Sequence, residues 1–164
     1  MIRLFTRSVD DTRAVAAAIE PLLKAGDVIV LSGDLGAGKT AFVQGLAKAL
    51  GVIDRVTSPT FTLLQSYVGR LDLHHLDVYR LNNLGEVLDL DLPELLDGDA
   101  VVAIEWGEVV APELPREYLR VRLQLSGVND AAELRVLEVD AVGMGWQGRS
   151  GALERALSPW GLGG

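Results

Sequence analysis

The chain has 164 residues, 49% of them hydrophobic, which is long enough to bury the core of one domain. With 23 acidic and 15 basic residues it carries a net charge of −8, which opposes independent binding to DNA or RNA but allows a role beside RNA that another protein holds. The absence of cysteine excludes disulfides, thiolate zinc sites and cysteine nucleophiles.

The first predicted elements are a short strand at 2–6 and the helix that follows it. Ser8 and Asp11 fit a capping box at the start of this helix, and apolar residues then recur on one helical face until Gly26. The apolar run at 14–19 is far shorter than the roughly 18 residues of a membrane span. Acidic residues also precede it, where a signal peptide carries positive charge. We therefore expect a cytoplasmic protein that makes no membrane contact.

A glycine-rich stretch, GDLGAGKT at 33–40, follows a β-branched run and precedes a helical pattern. Gly33, Gly38, Lys39 and Thr40 fit the spacing G-x-x-x-x-G-K-[ST] of the phosphate-binding P-loop. In such a loop the glycines let backbone N–H groups turn toward phosphate oxygens, and the N-terminus of a helix faces the anion. The lysine contacts the phosphates and the threonine hydroxyl binds Mg²⁺. A glycine-rich turn with a chance lysine is the alternative, but the flanking strand and helix favour the P-loop.

The rest of the chain alternates between loops, strands and helices until the last third, where the pattern becomes an antiparallel hairpin with one solvated face. The predicted segments are a loop at 51–60, strands at 61–68 and 71–81, a helix at 84–96 with a break at Pro93, a strand at 99–106, and hairpin strands at 119–126 and 133–141.

The final segment, 143–164, has seven glycines among its 22 residues. We expect it to be a flexible tail beyond a P-loop domain at 1–142, although 150–157 fits one or two helical turns. Trp146 and Trp160 in this tail either cap the fold or dock a partner.

Hydrolysis of a nucleotide also requires an acid near Mg²⁺ and a group that positions water. Glu105 follows the apolar run VVAI, as the acid of a Walker B strand does; an ordinary charged strand end fits the spacing equally well, but the P-loop upstream favours the Walker B interpretation. Asp77 lies between Leu76 and Val78, and a buried carboxylate there needs a partner. It either helps the Mg²⁺ and water site or forms an ion pair with Arg80 on a solvated face.

Two further features are weaker. Thr60 in SPTF lies about twenty residues after the P-loop, where many P-loop hydrolases carry a threonine on a mobile loop, but from spacing alone a proline turn is the better explanation. The adjacent His74 and His75 should point to opposite faces of a strand, so we do not expect them to share a metal ion.

Four short motifs occur in an order and spacing that resemble one known family. They are GDLGAGKT, then SPTF, then H-x-D-x-Y-R from His75 to Arg80, then IEW from Ile104 to Trp106. This combination resembles the TsaE family, formerly called YjeE, which is the ATPase component of bacterial tRNA threonylcarbamoyladenosine synthesis. The resemblance extends from about residue 8 to about residue 142.

The resemblance implies an α/β fold: a single P-loop NTPase-like domain with a mixed, mainly parallel sheet, flanking helices and an added antiparallel β-hairpin. It also implies that ATP and Mg²⁺ are the ligands. The phosphates would be held by Gly33, Asp34, Leu35, Gly36, Ala37, Gly38, Lys39 and Thr40. Glu105 would join Thr40 at the metal, Asp77 would support hydrolysis, and Thr60 would belong to a switch-like loop. Thr12 would lie near the base or ribose, and Arg135 matches a family arginine whose role stays open.

The family works with TsaB and TsaD, and TsaD transfers the threonylcarbamoyl group to adenosine in tRNA. The resemblance therefore implies TsaB and TsaD type partners, contact with tRNA only through those partners, and a nucleotide cycle that resets the complex between turnovers. The chain departs from the family pattern in its compact turn at 68–70 and in its glycine-rich tail.

Other nucleotide-dependent functions remain as alternatives. A small GTPase needs N-K-x-D, which is absent, and its D-x-x-G occurs only from Asp140 to Gly143, beyond the hairpin. A small-molecule kinase needs an acceptor pocket and usually a basic lid, for which the chain offers few arginines. A nucleotide-binding regulator with little turnover of its own has the same sequence requirements as a slow ATPase.

Overall fold

The computed structural model describes residues 1–59, 63–79, 91–126 and 134–161. Seven strands and five α-helices are described in these ranges. The strands are β1 (Ile2–Thr6), β2 (Val28–Ser32), β3 (Leu64–Tyr67), β4 (Leu73–Asp77), β5 (Val101–Glu105), β6 (Tyr118–Leu125) and β7 (Arg135–Val142). The helices are α1 (Val9–Ile19), α2 (Lys39–Ala49), α3 (Leu92–Asp97), α4 (Met144–Gln147) and α5 (Ser150–Leu157), with short 3₁₀ segments at Glu20–Leu22, Gly107–Glu113 and Ser158–Trp160.

All seven strands form one sheet in the order β1-β7-β6-β2-β5-β4-β3. The four central strands β6, β2, β5 and β4 are parallel, whereas β1, β7 and β3 pair antiparallel with their neighbours. This arrangement confirms the mixed α/β fold and the added hairpin, which is β6 and β7. Because the carboxyl ends of β2, β5 and β4 meet at one edge of the sheet, the residues that follow these strands are brought together there.

Helices cover both faces of the central strands, so β2 and β5 are buried on both sides and consist almost entirely of apolar residues. Helices α1 and α2 pack on one face and form the larger core cluster, with Ile19, Phe42 and Leu46 fully buried. Helix α3 and the 3₁₀ segment at Gly107–Glu113 contribute Leu92 and Val110 to a smaller cluster on the other face. Within the described ranges, no helix has the length and apolar character needed to cross a membrane.

Several predicted boundaries are confirmed and others are shifted. The Ser8 side chain accepts a hydrogen bond of 3.0 Å from the Asp11 backbone N–H, so Ser8 caps α1 as predicted. The helix α3 begins at Leu92, and Pro93 lies in its first turn, where its missing N–H has no helical partner to lose. The part of the predicted helix at 84–90 lies outside the described residues, as do Thr60 and Arg80.

The glycine-rich segment differs from the expected flexible tail, because residues 143–161 are packed onto the domain. Trp146 is 1% exposed and belongs to the larger core cluster, together with Leu153 and Leu157 of α5. The Arg149 guanidinium bonds both carboxylate oxygens of Asp27, at 2.6 and 2.9 Å, and lies 3.7 Å from the centre of the Trp146 ring. The prediction of flexibility used only the number of glycines in this segment. A few side chains between those glycines are buried or ion-paired, and these contacts hold the segment in place.

Candidate functional site

The loop between β2 and α2 has the backbone of a phosphate cradle. Gly33 has φ +136°, and a Cβ atom there would lie 2.1 Å from the Leu123 carbonyl oxygen of β6, so only glycine fits. Gly38 has φ +108° and directly precedes the first turn of α2. The free N–H groups of that turn therefore face the loop, as the P-loop spacing predicted.

Lys39 lies at the opening of the loop and bonds the loop backbone. Its side chain is almost fully buried, and Nζ donates hydrogen bonds to the carbonyl oxygens of Gly33, at 2.6 Å, and Asp34, at 2.9 Å. Nζ also lies 4.0 Å from the centre of the Trp106 ring, a cation–π distance. Burial lowers the pKa of Lys39, and the nearby carboxylates, Glu105 foremost, oppose this lowering. The lysine is therefore a buried cation at the opening of the loop.

Thr40 and Glu105 meet beside this lysine. The Thr40 hydroxyl lies 3.1 and 3.2 Å from the two carboxylate oxygens of Glu105, which is 3% exposed at the end of β5. His75 of β4 contacts the same carboxylate, with Nε2 2.5 Å from Oε2. Because a hydroxyl and a carboxylate converge next to the P-loop, this point offers the hard oxygen atoms that Mg²⁺ prefers. No cluster of three or more His, Asp or Glu side chains suited to a metal occurs in the described part of the chain.

Asp77 lies next to Glu105 because β4 and β5 are parallel and these two residues are register partners. Its carboxylate accepts hydrogen bonds from the Tyr79 backbone N–H, at 3.0 Å, and from the Ser58 hydroxyl, at 3.4 Å. At 6% exposure it does not lie on a solvated face, which removes that part of the alternative interpretation. Asp77 is thus a buried carboxylate at the same edge of the sheet as the P-loop.

Trp106 follows Glu105 in a strained backbone conformation. Its φ is +63°, which is uncommon for a residue with a side chain, and its ring packs 4.7 Å from that of Tyr79. The next residue must be glycine, because a Cβ at Gly107 would lie 2.3 Å from Cγ1 of Val30. The tight turn places the indole over Lys39, a contact that the sequence motif IEW did not predict.

Two residues flank the loop from the hairpin side and from α1. Thr12 is 2% exposed, its hydroxyl lies 3.0 Å from that of Thr6, and its methyl group would be 3.7 Å from a Cβ at Gly38. Arg135, at the start of β7, extends toward the tip of the loop, where Nη2 lies 3.5 Å from the Gly36 carbonyl oxygen. Arg135 therefore places a cation beside the phosphate cradle, a position that the sequence did not reveal.

A cavity of about 560 Å³ opens beside the first residues of the loop. It extends from the P-loop to side chains of β6 and β7, and its size is in the range of small-ligand sites. Its lining comprises Met1, Ser32, Gly33, Asp34, Trp106, Glu108, Arg120, Arg122, Glu138 and Asp140.

The structure thus brings together Lys39, Thr40, Asp77 and Glu105, all four of which were predicted as site residues. Thr12 lies beside the P-loop, and Thr60 is outside the described residues. His75 and Trp106 were missed as members of the site. The signal for His75 was its position two residues before Asp77, since alternate residues of a strand share a face.

Comparison with known proteins places this geometry in a family. The family model described as "Threonylcarbamoyl adenosine biosynthesis protein TsaE" matches residues 6–133. Proteins named "tRNA threonylcarbamoyladenosine biosynthesis protein TsaE" are 48% identical in Treponema pallidum, over 76% of this chain and 92% of the relative, and 41% identical in Streptomyces coelicolor, over 82% and 93%. The crystal structure of Bacillus subtilis YdiB matches with a TM-score of 0.79 and 34% identity, covering 94% of this chain and 97% of that one. The chain belongs to the TsaE family.

Proposed function

We propose that this chain binds Mg·ATP at the P-loop and hydrolyses it as the ATPase component of tRNA threonylcarbamoyladenosine synthesis. The observation that carries the proposal is the contact between Thr40, at the start of α2, and Glu105, at the end of β5, in a chain of the TsaE family. Phosphate binding follows from the residues themselves, whereas the choice of adenine follows from the family.

The residues at this edge fit a magnesium ion, because the Thr40 hydroxyl and the Glu105 carboxylate offer oxygen atoms within one small volume. Thr40 and Glu105 would hold the ion or its water ligands. A bound Mg²⁺ neutralises charge on the phosphate oxygens. The protein's own contribution is to fix these two side chains on rigid elements, a helix N-terminus and a buried strand end.

Lys39 and Asp77 have separate tasks in this proposal. Lys39 would donate hydrogen bonds to the phosphate oxygens, and a contact from an ammonium group to an anion is charge-assisted. Asp77 accepts hydrogen bonds from the Ser58 hydroxyl and the Tyr79 backbone N–H at the same edge, and a carboxylate held in place there is suited to orient the attacking water. Arg135 beside Gly36 adds positive charge near the phosphates. Thr60 retains its predicted role in the switch-like loop, and Thr12 its predicted place near the nucleoside.

The proposal places the protein in the cytoplasm with TsaB and TsaD type partners. Its net charge of −8 suits an accessory subunit, because contact with tRNA then falls to the partners. Partner binding would complete the transition-state site, since part of the catalytic machinery of a P-loop hydrolase can come from another protein.

A regulatory module with little turnover is the second candidate. The observation that favours it is the contact of Lys39 with Trp106, which links the P-loop lysine to the turn that follows β5. In that case nucleotide binding would release the lysine and Trp106 as a signal to a partner, and Asp77 would be a structural carboxylate.

Steady-state ATP hydrolysis distinguishes the two candidates. The protein is assayed alone, with its own TsaB and TsaD type proteins, and with GTP in place of ATP as the control. We expect little turnover alone and a clear, ATP-selective increase with the partners, which the Asp77→Asn variant should lose while it still binds ATP. Turnover that never rises above background would favour the regulatory module, and full turnover without partners would contradict the partner-dependent cycle.

A further inference from the structure

The Glu105 carboxylate is held on two sides, by Thr40 and by His75, and His75 has no task in the function proposed above. Thr40 contacts both carboxylate oxygens from the side of the P-loop. His75 contacts Oε2 from the adjacent strand, at 2.5 Å, and is completely buried. His75 is the register partner of Ala103, which lies two residues before Glu105 in β5. The His75 ring therefore approaches Glu105 from the amino-terminal side of that residue.

The direction of this hydrogen bond follows from the chemistry of the two groups. An ionised carboxylate only accepts hydrogen bonds, so Nε2 of His75 is the donor. The other ring nitrogen, Nδ1, is buried and has no hydrogen-bond partner among the described residues. A buried polar atom without a partner costs free energy. Packing alone would therefore favour an apolar side chain at this position, and the polar contact that the histidine gains is the one to Glu105.

We infer that His75 is a positioning residue for the magnesium end of the nucleotide site. Its Nε2–H holds Oε2 of Glu105, so that the carboxylate cannot rotate away from the Thr40 hydroxyl. This inference rests on the proposed binding of Mg·ATP. Residues that hydrogen-bond a metal ligand without binding the metal themselves typically contribute a factor of about 10 to 100 in metal affinity.

Four variants separate positioning from packing. His75→Gln keeps an N–H donor at about the reach of Nε2, whereas His75→Asn carries its amide too close to the backbone to reach Glu105. His75→Leu removes both polar atoms. His74→Asn is the matched control, because His74 is the adjacent histidine on the other face of β4 and bonds the Ser66 hydroxyl instead.

The measurement is the Mg²⁺ concentration that gives half of the magnesium-dependent gain in binding of a fluorescent ATP analogue. Binding in EDTA and thermal unfolding are measured for each variant. We expect His75→Asn and His75→Leu to raise the Mg²⁺ midpoint by about tenfold or more, with affinity in EDTA within about twofold of wild type. His75→Gln should recover most of the loss, and His74→Asn should match wild type.

An unchanged midpoint in folded His75→Asn would overturn the inference, and so would a His75→Gln variant as impaired as His75→Asn. If only His75→Gln and wild type fold, His75 has a structural role and the inference is likewise wrong. Failure of the proposed function gives a different result, because wild type itself would then show no effect of Mg²⁺ on nucleotide binding. That result would overturn the inference about His75 as well.

Discussion

Substituting Gly33 by alanine should damage both the stability of the domain and its nucleotide site. The added Cβ would lie 2.1 Å from the Leu123 carbonyl oxygen and 3.0 Å from the carbonyl carbon. Both distances are shorter than the ordinary van der Waals contact range of 3.4–4 Å. Strand β6 cannot easily retreat, because it pairs with β2 on one side and with β7 on the other. The start of the P-loop must move instead.

The size of the effect can be worked from two contributions. A residue with a Cβ costs roughly 1–3 kcal/mol at the positive φ of Gly33. Overpacking against a fixed backbone adds roughly 1–3 kcal/mol. We therefore expect Gly33→Ala to lower the free energy of unfolding by about 2–6 kcal/mol. ATP affinity should fall by at least about tenfold, since Gly33 begins the loop that would hold the phosphates and this loop must move.

Urea unfolding and titration with a fluorescent ATP analogue measure these two quantities. Gly51→Ala is the matched control: φ at Gly51 is +82°, but a Cβ there meets no atom within 4 Å. It should therefore show only the backbone cost, about 1–2 kcal/mol, with ATP affinity unchanged. If Gly33→Ala destabilises the domain no more than Gly51→Ala does, the steric argument for the first P-loop glycine is refuted.

Two other predictions follow from the buried arginine and lysine. Arg149→Ala should lower the free energy of unfolding by about 2–4 kcal/mol in the same urea assay, because it leaves the half-buried Asp27 carboxylate without its partner and uncovers Trp146. The control is Arg155→Ala on the exposed face of α5, which should change the free energy of unfolding by less than about 0.5 kcal/mol. Equal effects of the two substitutions would contradict the anchoring role of Arg149. Burial lowers the pKa of Lys39, so its ammonium is neutralised at a pH below the ordinary 10.5, and calorimetric ATP affinity should fall as the pH rises through that lowered pKa. Lys39→Ala should bind at least about tenfold more weakly without this alkaline fall, and an identical pH profile in both proteins would contradict the assignment of the lysine.

Much of the site was predictable because its residues are fixed by local spacing. The P-loop pattern requires a strand before Gly33 and a helix after Lys39, and both are present. Glu105 and Asp77 end apolar strands, and the ends of parallel strands meet at one edge, so their proximity to the P-loop followed from the same logic.

The remaining features depend on contacts between distant residues, which local patterns do not encode. The bond from His75 to Glu105 requires that β4 and β5 be neighbours, and the sequence does not give the strand order. Arg149 and Asp27 are 122 residues apart, so the composition of the last segment predicted flexibility where the structure has packed helices. The contact between Arg135 and the Gly36 carbonyl oxygen likewise depends on the position of the hairpin beside the loop, which local patterns do not give.

The central claim is that ATP turnover at this P-loop sustains tRNA modification. The most direct test reconstitutes threonylcarbamoyladenosine formation in tRNA with TsaB and TsaD type proteins, the activated threonylcarbamoyl donor and either wild type or the Lys39→Ala variant. Product is counted per TsaD molecule. With wild type and ATP we expect many turnovers, and with Lys39→Ala about as many as when the protein is left out. Equal, repeated turnover with the two proteins would contradict the claim.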